Sequence, residues 1–208
     1  MPTPARSAAP SIAADAPALL DSLLYSVSHD LRSPLLSVSL SAQLIEHTLG
    51  RRETSEGPDP IAEALGGLKA ACDDLERMLA ALNAVSRAAR RRAEPVSVPL
   101  ASLCDTPMEG AIALDDLTAQ ELRLALAAAA DTPVAAIEGA SARVTWSVDR
   151  AIDGSSALAE LAASLQRYAG TSIERLACLE VAFRGAGGSL AVDGNVVTAT
   201  LPLAGSPA

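Results

Sequence analysis

The chain has 208 residues, half of them apolar and only 2% aromatic, which is room for an ordinary domain plus a smaller one with a core of Ala, Leu and Val. A formal net charge of −9 argues against nucleic acid as a partner, because phosphate contacts need clustered Lys and Arg. The three cysteines, Cys72, Cys104 and Cys178, are far apart, odd in number and without metal-ligand spacing, and are expected to be reduced core residues.

Residues 1 to about 16 are rich in Pro, Ala and Ser without periodicity and read as a flexible lead-in. They contain no continuous apolar segment of the kind that targets a chain for export. Nowhere do about 18 uninterrupted apolar residues occur, so a soluble, cytoplasmic protein with no membrane partner is expected. From Leu20 onward apolar residues fall at Leu24, Val27, Leu31, Leu35, Val38, Ala42, Ile45 and Leu49, steps of three or four that predict one long helix. Gly50 to Pro60 is polar with two Gly and two Pro. It reads as a loop, with Asp59 placed to cap a second helix starting at Pro60.

The second series runs Ile61, Leu65, Leu68, Cys72, Leu75, Leu79, Leu82 and Val85 and stops near Arg90, Arg91 and Arg92. Positive charge suits a helix C-terminus, and Glu94-Pro95 blocks continuation, so a domain boundary is expected near residue 95. Two long helices joined by a short loop form a hairpin that leaves apolar stripes in water. Pairing two hairpins into a four-helix bundle removes that exposure, which predicts a homodimer. Beyond residue 95, short strands are expected at Val96 to Val98, Val144 to Val148, Leu190 to Val192 and Val196 to Leu201, the last two joined by a turn at Asp193-Gly194-Asn195. Helices are expected over 117 to 130, 156 to 168 and 171 to 184. The fold class read from this order is α+β: residues 17–95 as a helical hairpin forming a dimeric four-helix bundle, then residues 96–208 as a small sheet covered by helices.

The segment Ser28-His29-Asp30-Leu31-Arg32-Ser33-Pro34-Leu35 resembles the H-box of bacterial sensor histidine kinases. There the phosphorylated His is followed by an acidic residue, Leu, Arg, Ser or Thr, Pro and Leu, on the first helix of a dimerisation hairpin. His29 lies two residues from both Val27 and Leu31, about 200° around a helix, and so should point away from the apolar stripe. A neutral imidazole offers an unprotonated nitrogen near pH 7 and forms a P–N bond that stays reactive. The resemblance implies that His29 is the phospho-acceptor and that Asp30 fixes its tautomer. It further implies that Arg32 offers donors to phosphoryl oxygens or an acidic partner, and that Ser33 positions a water or the phosphoryl group. Pro34 removes a main-chain donor and would bend the helix just past the site. His47 has no motif around it and reads as a helix-surface residue.

Residues 173 to 203 are similar to the end of the kinase ATP-binding domain, with Gly187-Gly188 and the closing Leu-Pro-Leu matching best. The nucleotide machinery is not found. Where the family carries an Asn-bearing helix for Mg²⁺ and phosphates, residues 122–131 read LRLALAAAAD. Asp153-Gly154 is at most a remnant of the adenine-recognising loop, and the Gly-rich lid has shrunk to Gly170-Thr171-Ser172. The combination resembles the dimeric histidine phosphotransferases built like stripped-down histidine kinases. That resemblance implies a phosphorelay role with response-regulator receiver domains, or a hybrid histidine kinase, as partners. It implies no cofactor of the chain's own and Mg²⁺ on the receiver. A non-catalytic pseudokinase that binds a receiver or kinase, and a receiver phosphatase using Ser33, are the alternatives.

Overall fold

The computed structural model describes residues 30–51, 60–91, 94–104 and 108–205. The helix expected from Leu20 lies outside the described residues up to position 29, and the first complete helix, α1 (Arg32–Arg51), follows a turn at Leu31. Asp30 is helical, Leu31 is a turn residue, and the helix restarts at Arg32. The cause is Pro34, buried in the first turn, which has no N–H to give to the Asp30 carbonyl four residues back. Leu35 recovers the ladder by donating its N–H to the Leu31 carbonyl at 3.2 Å. Helix α2 (Pro60–Arg90) starts on a proline and ends with Arg87 and Arg90 in its last turn, both favourable placements. The expected loop between them, including the Asp59 cap, lies mostly outside the described residues.

The two helices pack along each other through small residues, and a Cβ added to Gly67 would stand 3.3 Å from the Ser41 hydroxyl. The buried positions of α2 are Ala64, Ala71, Met78, Ala81, Val85 and Ala88. Apart from Val85 this is not the series Ile61 to Leu82 that the sequence pattern marks as apolar. The two faces are offset by about 100°, one residue's rotation. Leu65 and Leu79 are half-exposed, and Cys72 is exposed rather than a core residue. The face that α2 buries is its small-residue face, which lets α1 and the C-terminal half of the chain come close. Leu65 and Leu79 stay half outside, whereas Met78 is fully buried and Leu75 and Leu82 pack against the core.

The remainder is mixed helix and sheet, of α+β type. Strand β1 (Val96–Pro99) pairs antiparallel with β2 (Ala111–Leu114), separated by a 3-10 turn at Leu100–Ser102. Helix α3 (Asp116–Ala127) follows, its first turn capped by Asp115, which accepts from the Thr118 N–H at 3.0 Å. Strands β3 (Val134–Glu138), β4 (Ser141–Ile152) and β5 (Ser189–Pro202) form an antiparallel sheet in that order. A bridge between Ile112 and Leu203 ties it to the smaller sheet.

Between β4 and β5 lie α4 (Ala157–Ala163), α5 (Leu165–Tyr168) and α6 (Ser172–Gly185). The run 156–168 is therefore two helices rather than one, broken at Ser164, whose backbone is extended at φ −156° and ψ 91°.

Strand β5 doubles back on itself. An extended strand would separate residues 188 and 200 by roughly 40 Å, yet a Cβ on Gly188 would stand 2.5 Å from the Thr200 carbonyl oxygen. The reversal is at Asp193-Gly194-Asn195, where Gly194 sits at φ +60°, as the turn residues predict. The burial parity changes across it, from Leu190 and Val192 to Val197, Ala199 and Leu201.

One core runs through the whole. Met78, Ala81 and Val85 of α2 belong to the same buried cluster as Leu122 of α3, Trp146 of β4, Phe183 of α6 and Leu201 of β5. The second hairpin helix is thus also a wall of the C-terminal unit.

Candidate functional site

His29 lies outside the described residues. The four motif residues that follow it are described, and they divide between two surroundings. Asp30 is part-buried, and Leu31 packs against the edge of the common core. Arg32 and Ser33 are exposed. Helical spacing accounts for this division, because Arg32 lies about 200° round from Asp30 while Pro34, one turn on, returns to the buried side.

On the outer side, Arg32 and Ser33 open a groove of about 450 Å³ that continues along α1 between Leu36, Ser37, Leu40 and Ser41. A neighbouring hollow of about 420 Å³ is lined by Leu31, Arg32, Leu35 and Leu36. Leu36, Leu40 and Leu44 repeat every four residues on the Ser33 face, and all three are exposed. Polar groups at the head of the helix therefore adjoin an apolar strip. His47 sits further along the helix as an exposed residue.

On the inner side, the C-terminal unit reaches the motif through α5. The Gln166 backbone N–H donates to Asp30 Oδ2 at 3.2 Å, and the Gln166 side-chain amide donates to Asp74 Oδ2 of α2 at 3.3 Å. Asp74 is also paired with Arg77. Helix α5 is anchored beneath by Leu165 and Tyr168, both buried, with the Tyr168 hydroxyl donating to Glu160. Gln166 and Asp74 carry no motif. Nothing in the sequence links residue 166 to residue 30, because the contact exists only once the Ser164 break lets α5 turn towards the hairpin.

The C-terminal unit holds a cleft of about 110 Å³ between α3, β4 and α6, lined in part by Ala125, Ala128, Trp146 and Arg175. Asp131, which follows the Ala-rich helix, accepts from the Ser147 N–H at 2.8 Å and the Ser147 hydroxyl at 2.7 Å. These bonds hold its carboxyl below the usual value, and the side chain is committed to joining the helix end to β4. Gly154 and Gly170 have positive φ, +144° and +79°, which explains glycine at both positions by backbone conformation alone.

Among the described residues no group of three or more His, Cys, Asp or Glu could hold a metal ion. No described helix is long and apolar enough to cross a membrane. No protein-family model matches the chain, and no curated protein matches it either.

Proposed function

We propose that the chain is a histidine phosphotransferase of a bacterial two-component phosphorelay, carrying a phosphoryl group between receiver-domain aspartates on His29 without using ATP. The observation that carries this reading is the run of motif residues from Ser28 to Leu35 in the sequence, with Arg32 and Ser33 exposed beside an apolar groove. A receiver bringing an aspartyl phosphate with its own Mg²⁺ would find cationic and hydroxyl groups next to a strip of leucines.

In the transfer, the unprotonated ring nitrogen of His29 attacks phosphorus. A P–N bond forms, the P–O bond to the receiver aspartate breaks, and the carboxylate leaves with the bonding pair. The proton on the other ring nitrogen stays in place. Asp30 would hold that proton and offset the positive charge that develops on the ring. The reverse transfer to a second receiver follows the same path. Arg32 would meet the phosphoryl oxygens, and Ser33 would orient them.

The ATP-independent part of the reading is supported by the C-terminal unit. Beside its helix α3 lies a cleft of about 110 Å³. The helix beside it presents alanines where a kinase needs metal-holding amides. We read this unit as a degenerate relative of the kinase ATP-binding domain, and the hairpin as one half of a dimeric four-helix bundle.

Incubation with labelled ATP, and separately with a phosphorylated receiver, tests the proposal. Label on His29 from the receiver only, lost in His29→Ala, is expected. Label from ATP would overturn it. Complex formation without any label would favour the non-catalytic binding module, and loss of receiver phosphate without labelled His29 would favour the phosphatase.

A further inference from the structure

Helix α5 is only four residues long, yet it touches both helices of the hairpin through one residue. Gln166 gives its backbone N–H to Asp30 and its side-chain amide to Asp74. That N–H lies in the first turn of a helix, where no carbonyl of the helix can accept it. It is spent instead on the carboxylate beside the motif histidine. The donor is held firmly, because Leu165 on one side is completely buried and Tyr168 below is nearly so. Leu31, next to Asp30, packs on the same core. The motif's acidic residue is therefore fixed from across the chain, by a segment 136 residues away.

We infer that Gln166 is a positioning residue for phosphoryl transfer: it sets the carboxylate of Asp30 so that the C-terminal unit, having no nucleotide to deliver, serves as part of the transfer site. This rests on the phosphotransferase reading for its consequence, and on the hydrogen-bond geometry for its cause. A carboxylate with one oxygen pinned loses rotational freedom, so less ordering is left to be done when the ring is phosphorylated. The tie to Asp74 holds α5 against α2 while this happens.

The test uses the full chain and four variants. Proline is tolerated in a helix's first turn, so Gln166→Pro removes the donor to Asp30, whereas Gln166→Ala keeps it. Gln166→Pro is expected to slow labelling of His29 by a saturating phosphorylated receiver roughly ten-fold, with the half-saturating receiver concentration unchanged. Gln166→Ala should stay within about three-fold. Adding Asp30→Asn to Gln166→Pro should cost nothing more than Asp30→Asn alone, because both remove one arrangement. Losses that multiply would mean a merely structural role and overturn the inference. If Gln166→Pro fails to fold, an ester in place of the Leu165–Gln166 amide, which deletes the same N–H and keeps the side chain bonded to Asp74, takes its place in the same cycle.

A second readout does not depend on transfer. The chain has only two histidines, so proton NMR can follow His29 with exposed His47 as internal reference. Loss of an oriented carboxylate should lower the His29 titration midpoint. A His29 midpoint indifferent to Gln166→Pro sinks this inference whatever the transfer rate does. A midpoint that moves in a protein whose His29 never takes a phosphoryl group sinks the phosphotransferase reading and leaves the contact standing.

Discussion

Glu180 is a carboxylate sealed from solvent inside α6. It accepts from the Leu158 N–H at 2.9 Å and the Ser156 hydroxyl at 2.8 Å, and it is paired with Arg184. These bonds satisfy the first turn of α4, so one side chain ties two helices together. Glu180→Ala would strand the cation and the amide together and is expected to cost about 3 kcal/mol, read as a lower urea midpoint by the fluorescence of Trp146, the chain's single tryptophan. Glu180→Gln keeps an acceptor and should cost less.

Cys178 supplies a pH test. Burial first, then the nearby Glu174 charge, pushes its thiol up to about 11. A folded value above the unfolded one means that its contribution to stability is fully present below about pH 9 and is lost as pH rises towards 11. The fall in stability between those values should therefore be smaller in Cys178→Ala. Glu180 shows where residue-level reading stops. Asp30, Arg32 and Ser33 stand out in the sequence because the chemistry of one short segment needs them in that order. Glu180 and Gln166 are ordinary helix residues until the fold brings them to a distant backbone N–H.

At the scale of elements, the helices with strong caps or prolines at their ends were legible and the Ala-rich strands were not. Strands β2 (AIAL) and β3 (VAAIE) each carry two alanines, a residue that favours helix. They become strands only through pairing with β1 and β4, a tertiary effect that no local pattern carries. The Ser164 break was likewise invisible, since the residues on both sides keep an amphipathic rhythm. In α2 the apolar rhythm is legible, and the single chain leaves much of that stripe uncovered. Ile61, Leu65, Leu68, Cys72, Leu75, Leu79 and Leu82 advance in alternate steps of four and three, the spacing of a coiled-coil seam, while a single chain buries the alanine face instead. If that seam meets its copy across a two-fold axis, Leu65→Glu with Leu79→Glu should convert a dimer to a monomer in analytical ultracentrifugation without lowering helix content. Mild oxidation should link Cys72 to Cys72 in the wild-type protein and not in the double variant. A monomeric wild type at tens of micromolar would remove the basis for the four-helix bundle.

For the molecule as a whole, the sharp change of pattern near residue 95 suggests two separable domains, but the packing joins them. Met78, Ala81 and Val85 lie on the hairpin in sequence and in the core of the C-terminal unit in space. Arg91 donates to Thr118 at 3.3 Å, bracing the end of α2 against the start of α3. Gln166 adds the contact at the other end of the shared surface. A helix that is half hairpin and half core cannot lose one set of neighbours without weakening the other, because the fully buried Met78 of α2 belongs to the common core. The two parts are therefore expected to unfold together: the urea transition seen by far-ultraviolet ellipticity, dominated by α1 and α2, should coincide with that seen by Trp146 fluorescence, which reports the sheet. Met78→Ala should shift both by the same amount, about 2–5 kcal/mol of stability. Two separated transitions, or a Met78→Ala effect confined to one probe, would show that the joint along α2 is too weak to pass a change in the C-terminal unit on to the head of α1.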